Sequence, residues 1–384
     1  MDTVCKEDMC TGCKACVSIC PKGAISIIDS LSSYNAVIDS EKCINCNLQC
    51  CHRVCQVNSK VTLISPRVWY QGWCIDDNVR GRSASGGLAS ELAQSFIKNG
   101  GFVYSCVYQD RDFVFKKVSE EDLFEKIPGS KYVKSNPLGV YESIKADLKS
   151  GEKVLFIGLP CQVFALKKYL SEPLQQHLFT VDLICHGSPS PKLLWKYLSE
   201  HGIKDIKNIR FRNKQRYGLF TDYESIVPFG IADRYMISFL QAYNYTENCY
   251  SCRFAGDKRT SDLTIGDSWG SALSVDEQKK GISLILCQSD KGETLLNTAN
   301  VHLEAVNIEN AKAHNAQLNA PEKRPDKRDL FFREIKKGAK YDWAVFKCRP
   351  FLCLKQDLKK VLFHFRPYRG SDSSGYRLMV RKEK

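Results

Sequence analysis

The chain has 384 residues, 43% of them hydrophobic and 26% charged, the make-up of a soluble globular protein of about two to three domains. Met1 to Cys5 has neither the basic nor the apolar stretch of a signal peptide, and no apolar run reaches the ~18 residues of a membrane-spanning helix. A cytoplasmic setting is expected, in which the 19 cysteines stay reduced and metal or redox work is favoured over a disulfide framework. The net charge is +13, and Pro321 to Lys384 carries +11 of it, with 19 Lys+Arg against 8 Asp+Glu.

Residues 10–21 read C-T-G-C-K-A-C-V-S-I-C-P. Cys10, Cys13, Cys16 and Cys20, followed by Pro21, have the C-x2-C-x2-C-x3-C-P spacing of a bacterial-type ferredoxin. A second group follows at Cys43, Cys46, Cys50, Cys51 and Cys55. The fourth cysteine of each run serves the other cluster in two-cluster ferredoxins. The expected ligand sets are therefore Cys10, Cys13, Cys16 and Cys55, and Cys43, Cys46, Cys51 and Cys20. The second run departs from the pattern. Gln49 stands where a cysteine is expected, so Cys50 or Cys51 must serve, and Cys51 restores the three-residue gap to Cys55. Gln56 replaces the proline. Paired C-x2-C elements also suit zinc, but Pro21, the eight ligands and the apolar Ala24–Ile28 favour clusters.

Val61 to Trp73 reads as a connecting stretch after a ferredoxin module at residues 1–60. Gly87 to Lys98 reads as a helix, with Leu88, Leu92, Ala93 and Phe96 at helical spacing and Asn99-Gly100-Gly101 as its stop. Phe102–Tyr108 and Phe113–Val118 read as paired strands. Lys153–Ile157 is a short apolar strand, residues 158–162 a turn, Val163–Leu170 a helix and Phe179–Ile184 a strand. Ser190 caps a helix that starts at Pro191 and stops at Gly202. This alternation predicts a parallel or mixed sheet, with ligands at the carboxyl ends of its strands, where Cys161 and Cys185 fall.

Cys249 and Cys252 form C-Y-S-C and, with Cys161 and Cys185, make a set of four in loop-like surroundings. Four thiolates suit a third 4Fe-4S cluster; separate buried cysteines, or zinc at Cys249/Cys252, suit the pattern too. Six motifs then occur in order: G-S-K-Y-V-K-S (129–135), V-L-F-I-G-L-P-C-Q (154–162), D-L-I-C-H-G (182–187), F-R-N-K (211–214), C-Y-S-C-R-F-A (249–255) and D-L-T-I-G-D-S-W-G (262–270). Together with R-S-A-S-G-G (82–87) they resemble the family of coenzyme F-420 hydrogenase and dehydrogenase beta subunits over about residues 73–320.

The resemblance implies an α+β protein: a two-cluster ferredoxin domain (1–60), a mixed α/β flavoprotein core (66–320) and a basic extension (321–384). It implies 4Fe-4S clusters and FAD, with Cys161, Cys185, Cys249 and Cys252 as ligands of the third cluster. Electrons would pass through the clusters to FAD and on to a deazaflavin or organic acceptor, with polysaccharide biosynthesis as one setting. The alternative is an electron-transfer subunit that feeds a partner enzyme and has no substrate of its own. A ferredoxin or another redox carrier is the expected partner.

Within that reading, Ser83, Ser85, Gly86 and Gly87 precede a helix and could approach the FAD pyrophosphate, and Lys131 could neutralise it. A helix cap and a surface lysine are the plain alternatives. His186 and Asp267 stand at strand ends as proton-handling or structural residues, and Arg212 and Lys214 face an acidic ligand or solvent. No G-x-G-x-x-G fingerprint is present. Of the 19 cysteines, 12 fit three clusters, leaving Cys5, Cys50, Cys74, Cys106, Cys287, Cys348 and Cys353. Phe351 to Arg366 reads as a basic amphipathic helix, with Leu354, Leu358, Val361, Leu362 and Phe365 at helical spacing among Lys355, Lys359 and Lys360. Such a helix serves an anionic membrane surface, a partner enzyme or the protein's own core; no motif supports nucleic acid.

Overall fold

The computed structural model describes residues 2–46, 49–222, 224–228 and 230–364. Near the N-terminus, β1 (Ile25–Asp29) and β2 (Tyr34–Ile38) form an antiparallel hairpin with Ile25 opposite Ile38. A lone hairpin is marginal in water. Here Ala15, Ile25, Tyr34 and Ala36 bury against Tyr141 and Ile144 of the helix Val140–Lys149. Polar bonds pin the contact. The Tyr141 hydroxyl donates to the Cys13 carbonyl (2.7 Å), Ser190 Oγ to Asp29 Oδ2 (2.6 Å) and Lys14 Nζ to Asn136 Oδ1 (2.7 Å). The cysteine-rich module is thus seated on the rest of the chain.

Eight strands build the main sheet: β3 (Val68–Cys74), β4 (Phe102–Gln109), β5 (Asp112–Lys117), β6 (Val154–Gly158), β7 (Leu178–Leu183), then β11 (Leu263–Asp267), β12 (Ser283–Cys287) and β13 (Val301–Ala305). A separate antiparallel sheet holds β8 (Ile209–Asn213), β9 (Arg216–Thr221) and β10 (Glu224–Ser225). The main order is β13-β3-β12-β11-β7-β6-β4-β5, and the pairs β4–β6, β6–β7 and β7–β11 are parallel. The apolar run Val154-Leu155-Phe156-Ile157 is fully buried, as a central parallel strand covered on both faces requires. β6, β7 and β11 deliver Gly158, Leu183 and Asp267 to one edge of the sheet.

Three sequence expectations change. Val68–Cys74, expected within a connecting stretch, is an interior strand between β12 and β13, with Trp69, Gln71 and Cys74 buried. The helix after β6 starts at Pro160, not Val163, because proline is preorganised for the first helical position. Cys161 therefore lies on a helix's first turn and not in a loop. The basic extension is not a free appendage: helices Arg328–Lys336 and Tyr341–Cys348 bury Phe331, Tyr341 and Cys348 among Tyr197, Phe211 and Tyr235.

The last helix, Pro350–His364, is held by one side only. Cys353 is buried, Gln356 Oε1 accepts from the Ala232 N–H (3.1 Å) and Asp357 pairs with Arg234 (2.7 Å). Phe351 is 86% exposed, and Leu354, Leu358, Val361 and Leu362 are exposed with it. The leucine and valine positions therefore do not cover the core. Phe365, Arg366 and the remainder to Lys384 lie outside the described residues. Among the described residues no helix is long and apolar enough to cross a membrane.

Candidate electron-transfer site

The first cysteine loop is shaped by left-handed backbone. Gly12 has φ +72°, and a Cβ there would meet the Tyr34 ring at 2.4 Å, so glycine is required. The turn aims Cys10, Cys13 and Cys16 inward, where all three are buried, as is Cys55. Burial pushes the Cys13 thiol up to about 11, with Cys10 adding to it. Burial likewise raises Cys16, reinforced by Cys13, Cys10 and Cys55. Cys55 is drawn down to about 7, chiefly by a hydrogen bond from Cys5, which also bonds Cys10. Cys10, Cys13, Cys16 and Cys55 therefore share one neighbourhood, and Cys5, which the spacing leaves unassigned, belongs to it.

The second set is more open. Cys43 is exposed, and Cys20, Cys46, Cys50 and Cys51 are half-buried. Burial raises Cys51, which feels Cys46 and Cys20. Cys50 bonds Cys46. Cys20 thus lies near Cys46 and Cys51, and Cys55 near Cys10, Cys13 and Cys16.

The core cysteines come from three places: Cys161 from the helix after β6, Cys185 from the end of β7, and Cys249 and Cys252 from the one-turn helix Glu247–Ser251 and its exit. All four line one small cavity of about 70 Å³, together with Thr11, Gln56, Lys134 and Arg259. Burial pushes Cys185 up to about 12, with Cys249 and Cys252 adding to it. Burial also raises Cys161, against the pull of Lys134. The sulfurs border a cavity and do not close on a point: among the described residues no three His, Cys, Asp or Glu side chains gather as ligands of a single ion. Gln56 joins this cage to the N-terminal module, its Nε2 donating to Thr11 Oγ1 (2.7 Å) and to the Cys161 carbonyl (2.9 Å). The departure from proline after Cys55 thus places a hydrogen-bond donor between the two cysteine regions.

A larger cavity of about 500 Å³ lies beside the first, within the range of cofactor pockets. Leu159, Cys185, His186, Gly187, Ser188 and Glu322 line both. Ser83, Ser85, Gly87, Lys131, His186 and Asp267 line the larger one; Gly86 does not. Gly86 is instead packed against β3, where a Cβ would come within 2.5 Å of the Gly72 carbonyl.

The serine hydroxyls are already engaged: Ser83 Oγ donates to the Val79 carbonyl and Ser85 Oγ to that of Ile282, both at 2.8 Å. What the loop presents is the start of the helix Leu88–Lys98, whose first N–H groups have no acceptor within the helix. Lys131 is not a surface lysine. Its ammonium is lowered from the ordinary range by burial and donates to the Ile127 and Gly129 carbonyls (3.2 and 3.3 Å).

Asp267 is locked in a fork with Arg212, at 2.5 Å to Nη1 and 2.7 Å to Nη2. Both of its carboxylate oxygens are engaged by this pairing. His186 opens into the cavity, and enclosure there lowers its basicity, against the opposing pull of Asp267. Lys214 donates to the Arg80 carbonyl and to that of Ser85 (3.2 Å), and is pushed down to about 8 by burial and then by Arg80 and Arg212. The sequence reading did not single out Gln56, Lys134 or Arg259 as site residues. Gln56 was marked by its break in the pattern, and Lys134 lies inside G-S-K-Y-V-K-S.

Residues 6–26 match the 4Fe-4S binding domain, and residues 151–311 match the C terminus of the coenzyme F420 hydrogenase/dehydrogenase beta subunit. The chain is 23% identical over 238 residues to the F subunit of the F(420)H(2) dehydrogenase of Methanosarcina mazei, covering 57% of this chain and 66% of the relative. It is 23% identical over 331 residues to the coenzyme F420-dependent sulfite reductase of Methanocaldococcus jannaschii, covering 80% of this chain and 48% of the relative. It therefore spans between about half and two thirds of these relatives. A chain of the F420-reducing [NiFe] hydrogenase complex from Methanosarcina barkeri superposes with a TM-score of 0.49 at 18% identity, over 67% of this chain and 91% of that one. Residues 151–311 are thus similar to the C terminus of the coenzyme F420 hydrogenase/dehydrogenase beta subunit, behind an N-terminal segment that matches the 4Fe-4S binding domain.

Proposed function

We propose that this chain is an iron–sulfur flavoprotein oxidoreductase in which two N-terminal cysteine sets and the Cys161/Cys185/Cys249/Cys252 cage hold 4Fe-4S clusters, and the larger cavity holds FAD. The observation that carries this reading is the shared wall: Leu159 and Cys185-His186-Gly187-Ser188 line both the cysteine cage and the larger cavity. When bound, clusters supply single electrons and a flavin couples them to two-electron chemistry.

The residues fit such groups. Cysteine is the donor that iron–sulfur clusters take. The start of helix Leu88–Lys98 offers N–H groups to a diphosphate, and Lys131 adds a half-buried cation. Arg212 holds Asp267 in place, and His186 is left as the cavity's proton-carrying group. Both relatives are named as F420 enzymes, so a deazaflavin is the acceptor class proposed here. No feature of the site speaks for polysaccharide biosynthesis.

Anaerobic purification tests this. The protein should be brown, with about twelve irons for three clusters and one releasable flavin; colourless protein holding zinc would sink the reading. A second reading, an electron-delivering subunit, is favoured by the exposed face from Phe351 to Leu362, since such apolar patches suit a partner surface. The readings part in a reoxidation assay. If a deazaflavin reoxidises the reduced protein, the first stands; if only a second protein does, the electron-delivery reading replaces it.

A further inference from the structure

The cage of four core cysteines is walled by two cations. Arg259 is among the largest fully buried side chains, at 2% exposure. Its Nη1 donates to the Phe254 carbonyl, while Nε and Nη2 have no hydrogen-bond acceptor among the described residues. A guanidinium stays charged, and burying its donors unpaired costs several kcal/mol unless something answers the charge. Asp182 is a buried carboxyl within its field, with Thr264 and Ser261 beside it, and it makes no hydrogen bond to Arg259 Nε or Nη2. Arg259 lines the same cavity as Cys161, Cys185, Cys249 and Cys252.

Lys134 also lines that cavity, at 5% exposure. Its ammonium donates to the Thr11 carbonyl (3.1 Å), in the loop between Cys10 and Cys13. It acts on both sides, favouring the thiolates of Cys10, Cys161 and Cys185. Lys134 therefore stands between the buried N-terminal set and the core cage, and Arg259 belongs to the cage.

We infer that Arg259 and Lys134 are charge-compensating residues for an iron–sulfur cluster in the core cage, and that they raise its reduction potential so that electrons run inward from the N-terminal sets. The physical reason is simple. Four thiolates give the cluster a negative charge, and reduction adds another electron without adding a ligand. A fixed cation in a low-dielectric wall favours the more negative state, and net charge is one of the factors that sets such potentials. This rests on the assignment of a cluster to the four core cysteines, and the test separates the two.

Full-length chain, Arg259→Met, Lys134→Gln and Lys134→Arg are purified anaerobically, assayed for iron, and titrated potentiometrically with EPR detection. Arg259→Met should lower the potential of the core cluster alone, by about tenfold or more in its reduction equilibrium (59 mV for one electron). Lys134→Gln should lower that of the core cluster and the buried N-terminal cluster, and Lys134→Arg should restore both. Full iron content with unchanged potentials in Lys134→Gln would overturn the inference, whether or not Arg259→Met folds. A parent chain that holds only about eight irons, two clusters' worth, would instead overturn the core-cage assignment itself.

Discussion

The two adjoining cavities are built by opposite means. The small one keeps much of its chemistry free: four cysteines border it without closing on a single ion among the described residues, and its guanidinium has two unanswered nitrogens. The larger one has consumed its polar side chains. Ser83 and Ser85 bond backbone carbonyls, and Asp267 is held by Arg212. A wall of free donors suits a group bound by side chains. A wall whose polar side chains are satisfied internally recognises a ligand by shape, backbone N–H groups and the few residues left over, here His186.

The contrast is broken most severely at the shared wall. Cys185→Ser should remove about four irons, a third of the total, and uncouple flavin reduction from the N-terminal clusters; retention of all iron would show that Cys185 is not a ligand. In the larger cavity, Asp267→Asn should act on the fold first. It leaves Arg212 buried without its counter-charge, a loss of about 3 kcal/mol on breaking such a pair, read as a lower urea midpoint. Unchanged stability with lost turnover would return Asp267 to proton chemistry.

Gln56→Pro restores the ferredoxin-like residue and removes the bond to Cys161. It should cost about 1 to 2 kcal/mol through the two lost side-chain hydrogen bonds and loosen the N-terminal module, visible as faster proteolysis after Cys55.

The Lys214 ammonium has a folded pKa of about 8, below its ordinary value of 10.5. The folded state therefore binds fewer protons than the unfolded state between those values, so stability rises with pH across that window. Below it the cost of burying the charge is fully present. Lys214→Met should flatten this rise in urea titrations run at both ends of the window; an equal slope in the variant would remove Lys214 as its source. Leu358→Gln, on the exposed helix face, should change stability by less than about 0.5 kcal/mol. A larger loss would mean that the face is covered within the folded chain.

The first N-terminal cysteine set was legible in the chain because its working atoms are sulfurs. Cysteine is rare, its spacing in a loop is set by ligand geometry, and the run from Cys10 to Pro21 carries that geometry within a dozen residues. The strand Val154–Gly158 and the helix from Pro191 were legible for the same local reason, since apolar runs and caps act within one element. The larger cavity was less so. Ser83 and Ser85 look alike whether they face a phosphate or a carbonyl, and only the packing of Val79 and Ile282 against them decides which. The strand Val68–Cys74 was missed because its partners, β12 and β13, lie more than two hundred residues away.

By itself, then, the sequence determined the cluster-binding character of the N-terminus, the mixed sheet and the likeness to F420 hydrogenase/dehydrogenase beta subunits, because spacing, apolar runs and ordered motifs are local or one-dimensional properties. Tertiary structure alone decided that Cys161, Cys185, Cys249 and Cys252 border one cavity, that Gln56 ties it to the N-terminal module, and that Lys134 and Arg259 wall it with positive charge. These are through-space relations, set by parallel strands that deliver distant segments to one edge, and residue spacing does not encode them.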